Sequence, residues 1–284
     1  MNYRRGVTPP PVPRNPLPGL PRLIATDLDG TLLGAGGTVS ARNAAALHRA
    51  ARAGVVVLLV TGRSQHRLPE IYSQLGARYL TICANGGVVY DPVGERVLAC
   101  RPVDPDRVRQ VCMRLRERVP EVVFAAHVEC GGRVLHEPGW PRPGGEDGRA
   151  PAAPADLTGS PVVKLQARAP EREPESFAAL VADAVGDLVE VTRQGYRGLV
   201  EMSRRGVTKG SALATVAGGL TIPAEDVLVF GDMPNDVPMM RWAGRSVAVA
   251  NAHVEARAAA GEVTLSNVRD GVAVYVERLL DGRA

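Results

Sequence analysis

The sequence predicts an α/β protein, a doubly wound, Rossmann-like parallel sheet that carries an inserted α+β domain. Five short apolar runs, each too short for a helix, indicate strands that are buried on both faces. Helical patterns fill the gaps between these runs, and such alternation is typical of a parallel sheet covered by helices. The five runs are residues 23–25, 55–60, 79–83, 227–230 and 246–249.

The helices around this sheet have recognisable start signals. Ser40 can cap a helix that reaches Gly54, and Thr208 can cap another. Pro69 marks the start or a kink of the helix that follows the second strand. Apolar residues at helical spacing from Val272 onward indicate a last helix.

The middle of the chain, residues 88–202, has a different pattern and is predicted to be the insert. The segment 91–95 has the composition of a hairpin turn between two β-rich runs. The other elements expected in the insert are helices near 108–119 and 177–185 and strands at 122–128, 133–136, 162–167, 188–192 and 197–202.

These patterns predict a core made of residues 22–87 and 203–284, interrupted by the insert. Residues 1–21 hold seven prolines and are expected to be a flexible arm. Residues 137–160 are rich in Pro and Gly and are expected to form a long loop.

The composition excludes several classes of protein. With 45% hydrophobic and 23% charged residues, the 284-residue chain resembles an ordinary globular protein, and no apolar run approaches the ~20 residues of a membrane span. The first residues do not look like a signal peptide, so a cytoplasmic location is expected. The net charge is +4, but the arginines are dispersed and aromatics make up only 4%, which argues against a nucleic-acid partner.

The cysteines and histidines do not suggest a site. The four cysteines are scattered and are expected to be reduced packing residues. The five histidines do not cluster at ligand spacing, and no Ser–His or Cys–His pair is evident. Only two residues of the chain are lysines, Lys164 and Lys209, which makes each of them notable.

Polar residues follow the predicted strands, where parallel sheets bind ligands. Asp27 and Asp29 follow the first strand, and Asp232 follows the fourth. Close carboxylates repel unless a cation lies among them, and an all-oxygen ligand set favours Mg²⁺. Mg²⁺ in such sites also binds phosphate oxygens, so a phosphorylated substrate is expected.

The remaining groups suit phosphoryl transfer. Thr61 offers a hydroxyl donor after the second strand, and Lys209 adds a positive charge at a helix start. A carboxylate is then the candidate nucleophile: Asp27 would attack phosphorus to form an aspartyl-phosphate. Asp29 would protonate the leaving alcohol and later deprotonate water.

The ordered set of motifs resembles the haloacid dehalogenase-like phosphatase superfamily, in its Cof-like branch with a C2B-type cap. The resemblance covers nearly the whole chain from Leu23 onward. Asn85-Gly86 and residues 249–251 are similar to secondary signatures of that branch. The segments that resemble its four motifs are residues 27–33, 60–63, 207–213 and 231–236.

This resemblance implies specific roles. Asp27 would be the nucleophile and Asp29 the general acid/base, while Thr61 and Lys209 would hold the phosphoryl group. The Mg²⁺ ligands would be the Asp27 carboxylate, the Asp29 backbone carbonyl and Asp232. Asp236 would support the metal loop or Lys209. Substrate contacts are implied for Arg63, Asn85 and Asn235, and the insert would be a cap that chooses the leaving group.

The function expected is therefore Mg²⁺-dependent hydrolysis of a small phosphorylated metabolite such as a sugar phosphate. Two alternatives stay open. A phosphomutase or phosphotransferase would use the same aspartyl-phosphate with an alcohol as acceptor instead of water. A non-catalytic Mg²⁺-binding regulatory module would keep the fold without turnover, although such a module could have lost Asp27 or Asp29 and this chain has both.

Overall fold

The computed structural model describes residues 19–140, 157, 159–193 and 198–282. They form two compact units. Of the described residues, the first unit comprises those up to Arg63, Arg67–Ala99 and those from Lys209 onward; the second comprises Ser64–His66 and those between Cys100 and Thr208. Most of the predicted arm and of the predicted 137–160 loop lies outside the described residues.

The first unit is built on an eight-stranded sheet. Six neighbouring strands are parallel, and an antiparallel hairpin continues the sheet at one edge. In spatial order the strands are β13 (Glu262–Val263), β12 (Arg245–Ala248), β11 (Val227–Gly231), β1 (Leu23–Thr26), β2 (Val56–Val60), β3 (Thr81–Cys83), β4 (Val88–Asp91) and β5 (Arg96–Cys100). The prediction of a doubly wound parallel sheet is confirmed, and all five apolar runs form strands of it.

Helices flank this sheet, and their starts follow local chemistry. The helix Ala41–Arg52 begins after Ser40, whose hydroxyl accepts the backbone N–H of Asn43 at 3.0 Å. Proline occupies the first position of the helix Pro69–Leu75, where its missing N–H costs no hydrogen bond. The other helices of the unit are Lys209–Gly219, Val237–Trp242, Val254–Ala259 and Gly271–Leu280.

The second unit is an antiparallel sheet covered by two helices. Its strands, in spatial order, are β7 (Arg133–His136), β6 (Val123–Val128), β8 (Val162–Arg168), β10 (Leu199–Arg204) and β9 (Val189–Arg193). The helices Pro105–Arg118 and Pro174–Val185 contribute their apolar faces to a core that also contains Phe124, Leu165 and Met202. An α+β architecture was expected for this part of the chain.

The hairpin at residues 88–100 lies elsewhere than predicted. The sequence assigned it to the insert, but β4 pairs antiparallel with β3, with Tyr90 opposite Thr81. The hairpin therefore extends the sheet of the first unit, because β3 at the edge of the parallel set offers unpaired backbone groups.

The expectation of four reduced cysteines is also wrong. Cys100 and Cys130 form a disulfide, with Cα atoms 5.7 Å apart, while Cys83 and Cys112 are buried thiols. The two paired cysteines are 30 residues apart in sequence, so spacing gave no sign of the pairing. Among the described residues, no helix has the length and apolarity required to cross a membrane.

Candidate active site

Neighbouring parallel strands of the first unit end beside one another and deliver the predicted residues to one edge of the sheet. Asp27 follows β1, Thr61 follows β2 and Asp232 follows β11. The Asp27 N–H donates to the Phe230 carbonyl at 3.0 Å, and the Thr61 N–H donates to that of Ile82 at 2.8 Å. The ladder thus continues one residue past the strands, which fixes the backbone from which these side chains project.

Lys209 lies at the centre of a buried cluster of charges. Its Nζ donates to Oδ1 of Asp27 and to Oδ1 of Asp236, each at 2.6 Å, and its side chain is only 1% exposed. Burial by itself would lower the pKa of Lys209, but the two carboxylates outweigh this effect and raise the pKa above its usual range. The ammonium group is therefore permanently charged at neutral pH.

Asp232 is the third carboxylate of the cluster. The Thr31 hydroxyl donates to its Oδ1 at 2.8 Å. Burial raises the pKa of Asp232 to about 6, and repulsion from Asp236 acts in the same direction. Burial also raises the pKa of Asp27 well above its usual value, against the attraction of Lys209. Three carboxylates thus face a single ammonium group.

Asp236 organises the loop after β11. Its Oδ2 accepts the backbone N–H groups of Asp232 and Met233, at 2.9 and 3.0 Å, while Oδ1 accepts from Lys209. A side chain at Gly231 would overlap the Asp236 carboxylate, so glycine is required where these groups approach. The resemblance left two partners for Asp236, the metal loop or Lys209, and the side chain bonds both.

The cluster has the chemistry of a site for a hard cation. One carboxylate oxygen from each of Asp27, Asp232 and Asp236 lies within 4.8 Å of the others, and all three residues are buried. An all-carboxylate donor set suits Mg²⁺ or Ca²⁺, and the excess of negative charge favours a cation. Oδ1 of Asn235 is buried without a hydrogen-bond partner, which fits a group still to be supplied there.

The side chain of Asp29 does not belong to this group. It is half exposed and pairs with Arg63, whose Nε and Nη2 donate to the two carboxylate oxygens at 2.8 and 2.5 Å. Such a two-point contact fixes the plane of the carboxylate. The ligand predicted from Asp29 is its backbone carbonyl, so the pairing of its carboxylate with Arg63 leaves that prediction open.

The predicted phosphoryl and substrate contacts also converge on this region. The Thr61 hydroxyl accepts the Arg63 N–H at 3.0 Å, and the Thr61 carbonyl accepts the Asn85 N–H at 3.1 Å. Asn235 Nδ2 donates to Asn85 Oδ1 at 3.2 Å. Asn85 has a φ of 54°, in the left-handed region that asparagine tolerates. Thr61, Asn85 and Asn235 are thus linked by hydrogen bonds.

Several supporting residues were given no specific role in the sequence interpretation. Thr31 orients Asp232, and its position inside the first motif was the available signal. Asn251 donates to the Gly30 carbonyl at 2.8 Å. The sequence showed no Ser–His pair, but Ser64 Oγ and His127 Nδ1 lie 2.6 Å apart in the second unit. They are 63 residues apart in sequence, too far for a motif to reveal them.

Comparisons with known proteins agree on one family. A model of the haloacid dehalogenase-like hydrolases matches residues 24–276. The chain is 31% identical to phosphatase YwpJ of Bacillus subtilis (strain 168), over 91% of this chain and 100% of that protein. It is 28% identical to pyridoxal phosphate phosphatase YbhA of Escherichia coli (strain K12), over 90% and 97% of the two chains.

Solved structures also resemble the fold of this chain. The crystal structure of TM0651 from Thermotoga maritima aligns with a TM-score of 0.72 at 24% identity, covering 91% of this chain and 97% of that one. BT1666 from Bacteroides thetaiotaomicron aligns with a TM-score of 0.77 at 19% identity, covering 97% and 98%. The extent of the family match, together with the relative at 31% identity, shows that this chain belongs to the haloacid dehalogenase-like hydrolase family.

Proposed function

We propose that this hydrolase is a Mg²⁺-dependent phosphatase that cleaves a small phosphorylated metabolite through an aspartyl-phosphate on Asp27. The observation that carries the proposal is the buried contact of Lys209 with Asp27 and Asp236 beside a third carboxylate. The names of the relatives support the reaction class: they include phosphatases for pyridoxal phosphate, 5-amino-6-(5-phospho-D-ribitylamino)uracil and phosphoglycolate. All three are small phosphate monoesters.

The nucleophile is assigned to Asp27. Lys209 holds Oδ1 of this carboxylate and so sets the direction in which it faces the substrate. An Asp27 oxygen attacks phosphorus, an acyl-phosphate bond forms and the bond from phosphorus to the ester oxygen breaks. The second step is attack of water on the same phosphorus, which releases phosphate and regenerates the Asp27 carboxylate.

Asp29 is assigned the proton transfers. Its half-exposed position lets it reach both a leaving group and water, unlike the buried Asp27. It gives a proton to the departing alkoxide in the first step and takes one from the attacking water in the second. Arg63 holds the carboxylate in a defined plane and is assigned to substrate contact as well.

We assign the binding of the transferring phosphoryl group to Thr61 and Lys209, with Asn85 and Asn235 as nearby contacts. The Thr61 oxygen already accepts the Arg63 N–H, so its own O–H is directed toward another acceptor, such as a phosphoryl oxygen. Lys209 supplies positive charge for the equatorial oxygens.

The proposed Mg²⁺ ligands are the carboxylates of Asp27 and Asp232 and the backbone carbonyl of Asp29. Both oxygens of Asp236 are engaged by Lys209 and backbone N–H groups, so this residue is assigned to support. When bound, Mg²⁺ would neutralise charge on the phosphoryl oxygens and hold the substrate in line with the nucleophile.

The first unit is proposed to be the catalytic core, since all of these residues belong to it. Most of the second unit, Cys100–Thr208, is inserted in the chain between Ala99 and Lys209, where the family has its cap domain. We assign to it the choice of leaving group.

The test is a screen of phosphorylated metabolites for released phosphate, with and without Mg²⁺. Asp27→Asn serves as the blank, and Asp226→Asn, which alters an exposed aspartate of the same unit, serves as the matched control. Phosphate release by the wild type and by Asp226→Asn, but not by Asp27→Asn or without Mg²⁺, is expected. An isomerised product without free phosphate would indicate a mutase, and an active Asp27→Asn would overturn the nucleophile.

A further inference from the structure

The second unit contains a cavity of about 590 Å³ that the proposed function does not use. The cavity lies beside the start of the helix Pro105–Arg118, the residue that precedes β9 and the end of β10. All of its lining residues belong to the second unit. A volume of this size is typical of sites for small ligands, so the chemistry of the lining indicates which ligand would fit.

Positive charge prevails in this lining. Arg107, Arg204 and Arg205 line the cavity, and Asp104 is the single acidic residue among the lining residues. Asp104 is the cap of the helix, since its Oδ1 accepts the backbone N–H of Asp106 at 2.9 Å. The lining residues therefore have an excess of two positive charges, which favours an anionic ligand.

The three arginines are exposed and form no ion pair with any described residue. Arg107 Nη1 and Arg205 Nη1 donate to the backbone carbonyls of Leu188 and Asp187, each at 3.4 Å, and these acceptors carry no charge. The Arg204 guanidinium has no hydrogen-bond partner within the described part of the chain. A guanidinium has five N–H donors, so most donors of these three side chains are available to a ligand.

Other arginines of the same unit are paired with carboxylates. Arg118 Nη2, for example, lies 3.0 Å from Asp183 Oδ2. Asp187, whose carbonyl accepts from Arg205, receives Arg114 Nη1 on both of its carboxylate oxygens, at 2.8 and 3.0 Å. The cavity thus gathers arginines whose charges no ion pair among the described residues balances.

The cavity also has an apolar wall. Pro102, Pro161 and Leu188 line it, and their side chains offer carbon surface without hydrogen-bonding groups. Inorganic phosphate would satisfy the guanidinium groups but would leave this wall in contact with water. A ligand that uses both parts of the lining combines negatively charged groups with a carbon skeleton.

We propose that this cavity binds a small organic diphosphate. Its phosphate groups contact the guanidinium groups of Arg107, Arg204 and Arg205, and its carbon skeleton lies against the apolar wall. A diphosphate concentrates two or more negative charges in one small group, and the planar guanidinium can bind two phosphate oxygens at once. Binding there does not require Asp27 to be a nucleophile, and it can be measured without turnover.

The test is isothermal titration calorimetry of the whole protein, freed of divalent cations, with four probes. Adenosine diphosphate supplies both parts of the proposed ligand, pyrophosphate only the phosphates, adenosine only an organic part, and citrate carboxylates in place of phosphates. Adenosine diphosphate should bind saturably and more tightly than each of the other three. Equally tight or tighter binding of pyrophosphate, adenosine or citrate would overturn the assignment, as would the absence of saturable binding of adenosine diphosphate.

Arg204→Gln is the decisive variant, because this guanidinium has no partner to lose among the described residues. Its melting temperature should equal that of the wild type, while its Kd for adenosine diphosphate should rise about tenfold, through loss of a charge-assisted hydrogen bond. Arg204→Lys keeps the charge without the planar donor group and should lose less affinity.

Arg118→Gln is the matched control. It removes the same charge from the other end of the helix that carries Arg107, about 16 Å away along the helix axis. Its Kd should stay within about twofold of the wild type, because exposed charges more than a Debye length apart are largely screened. Equal losses of affinity in Arg204→Gln and Arg118→Gln would show attraction by net charge alone and would overturn the site.

NMR of the arginine Nε–H groups locates the bound probe. The signals of Arg107 and Arg204 are assigned by their loss in Arg107→Gln and Arg204→Gln. Both signals should shift on addition of adenosine diphosphate, with the Kd that calorimetry gives. Unshifted signals at saturation would place the probe elsewhere and overturn the proposal. A wild type that released no more phosphate than Asp27→Asn would refute the proposed phosphatase, while these titrations would still decide whether the cavity binds a diphosphate.

Discussion

Asp236 and Lys209 form a buried ion pair in which Oδ1 of the carboxylate lies 2.6 Å from the ammonium nitrogen. The other carboxylate oxygen accepts the N–H groups of Asp232 and Met233. One side chain thus fixes both the lysine and the loop that carries Asp232. Since the Asp236 side chain is fully buried, water cannot replace either partner.

Replacing Asp236 by asparagine should therefore destabilise the protein. Asparagine has a single side-chain oxygen, which cannot accept both N–H groups and also bind the ammonium group, and it carries no negative charge. Breaking a buried ion pair typically costs about 3–5 kcal/mol. We expect the free energy of unfolding, measured with urea, to fall by about 3 kcal/mol. The control is Asp226→Asn, which breaks an exposed pair with Arg22 and should cost less than about 1 kcal/mol. Equal losses in the two variants would contradict a stabilising role for the buried pair.

A second prediction concerns Gly30, which has a φ of +83° and lies against the Asp232 carboxylate. Alanine there would force its Cβ onto this carboxylate. Gly36 has a similar φ of +75° with open space around it, so Gly36→Ala carries the same backbone strain without the contact. Both variants should lose about 1–2 kcal/mol of stability. Only Gly30→Ala should raise the Mg²⁺ concentration for half-maximal phosphate release, by about tenfold. Identical Mg²⁺ titrations would show that Asp232 is not displaced.

The Thr61 hydroxyl provides a third prediction. Thr61→Val keeps the shape of the side chain but removes the donor proposed for a phosphoryl oxygen, a charge-assisted hydrogen bond of about 1.5–3 kcal/mol. The value of kcat/KM should therefore fall about 10–100-fold, whereas Thr61→Ser should retain most of it. Thr81→Val removes a buried threonine hydroxyl that bonds Tyr72 and Tyr79 instead, and it should change stability without a comparable loss of activity. An unchanged kcat/KM in Thr61→Val would show that the Thr61 hydroxyl does not bind the phosphoryl group.

The fourth prediction concerns the cysteines. In protein denatured without reductant, iodoacetamide should modify only Cys83 and Cys112, and after reduction it should modify all four cysteines. Burial raises the pKa of the Cys112 thiol to about 12, so the reactive thiolate is scarce at neutral pH and this residue should not react in the native protein.

Two variants control the cysteine count, which mass spectrometry measures. Without reductant, denatured Cys100→Ser should take up three labels, because Cys130 loses its partner, and denatured Cys112→Ser should take up one. Four labels on the unreduced wild type would exclude the disulfide.

The parts of the fold that could be predicted are those that depend on short, continuous stretches of the sequence. Strands such as Val56–Val60 are continuous apolar runs, and their parallel arrangement brings Asp27, Thr61 and Asp232 to one edge. The motif that contains Lys209 then predicted a positive charge beside these residues. Short-range pattern and the rule for parallel sheets were sufficient for these features.

The remaining features depend on pairings between distant segments. The hairpin beginning at Val88 has a β pattern that suits either sheet, and only its register with β3 decides between them. The Asp29 carboxylate pairs with Arg63, 34 residues away, and the sequence did not predict this contact. Ser64 and His127 are in contact only because the folded second unit brings β6, the strand that carries His127, next to Ser64. No local pattern encodes such contacts.

Both lysines of the chain are buried, Lys164 at 4% and Lys209 at 1% exposure. Apart from the five histidines, every other basic side chain is an arginine, whose guanidinium keeps its proton at any pH at which a protein stays folded. The cationic charge that arginine gives to the surface therefore does not change with pH. Acylating reagents that attack amines find no lysine on the native surface, and modification of Lys209 would thus measure how often the carboxylate cluster opens to solvent.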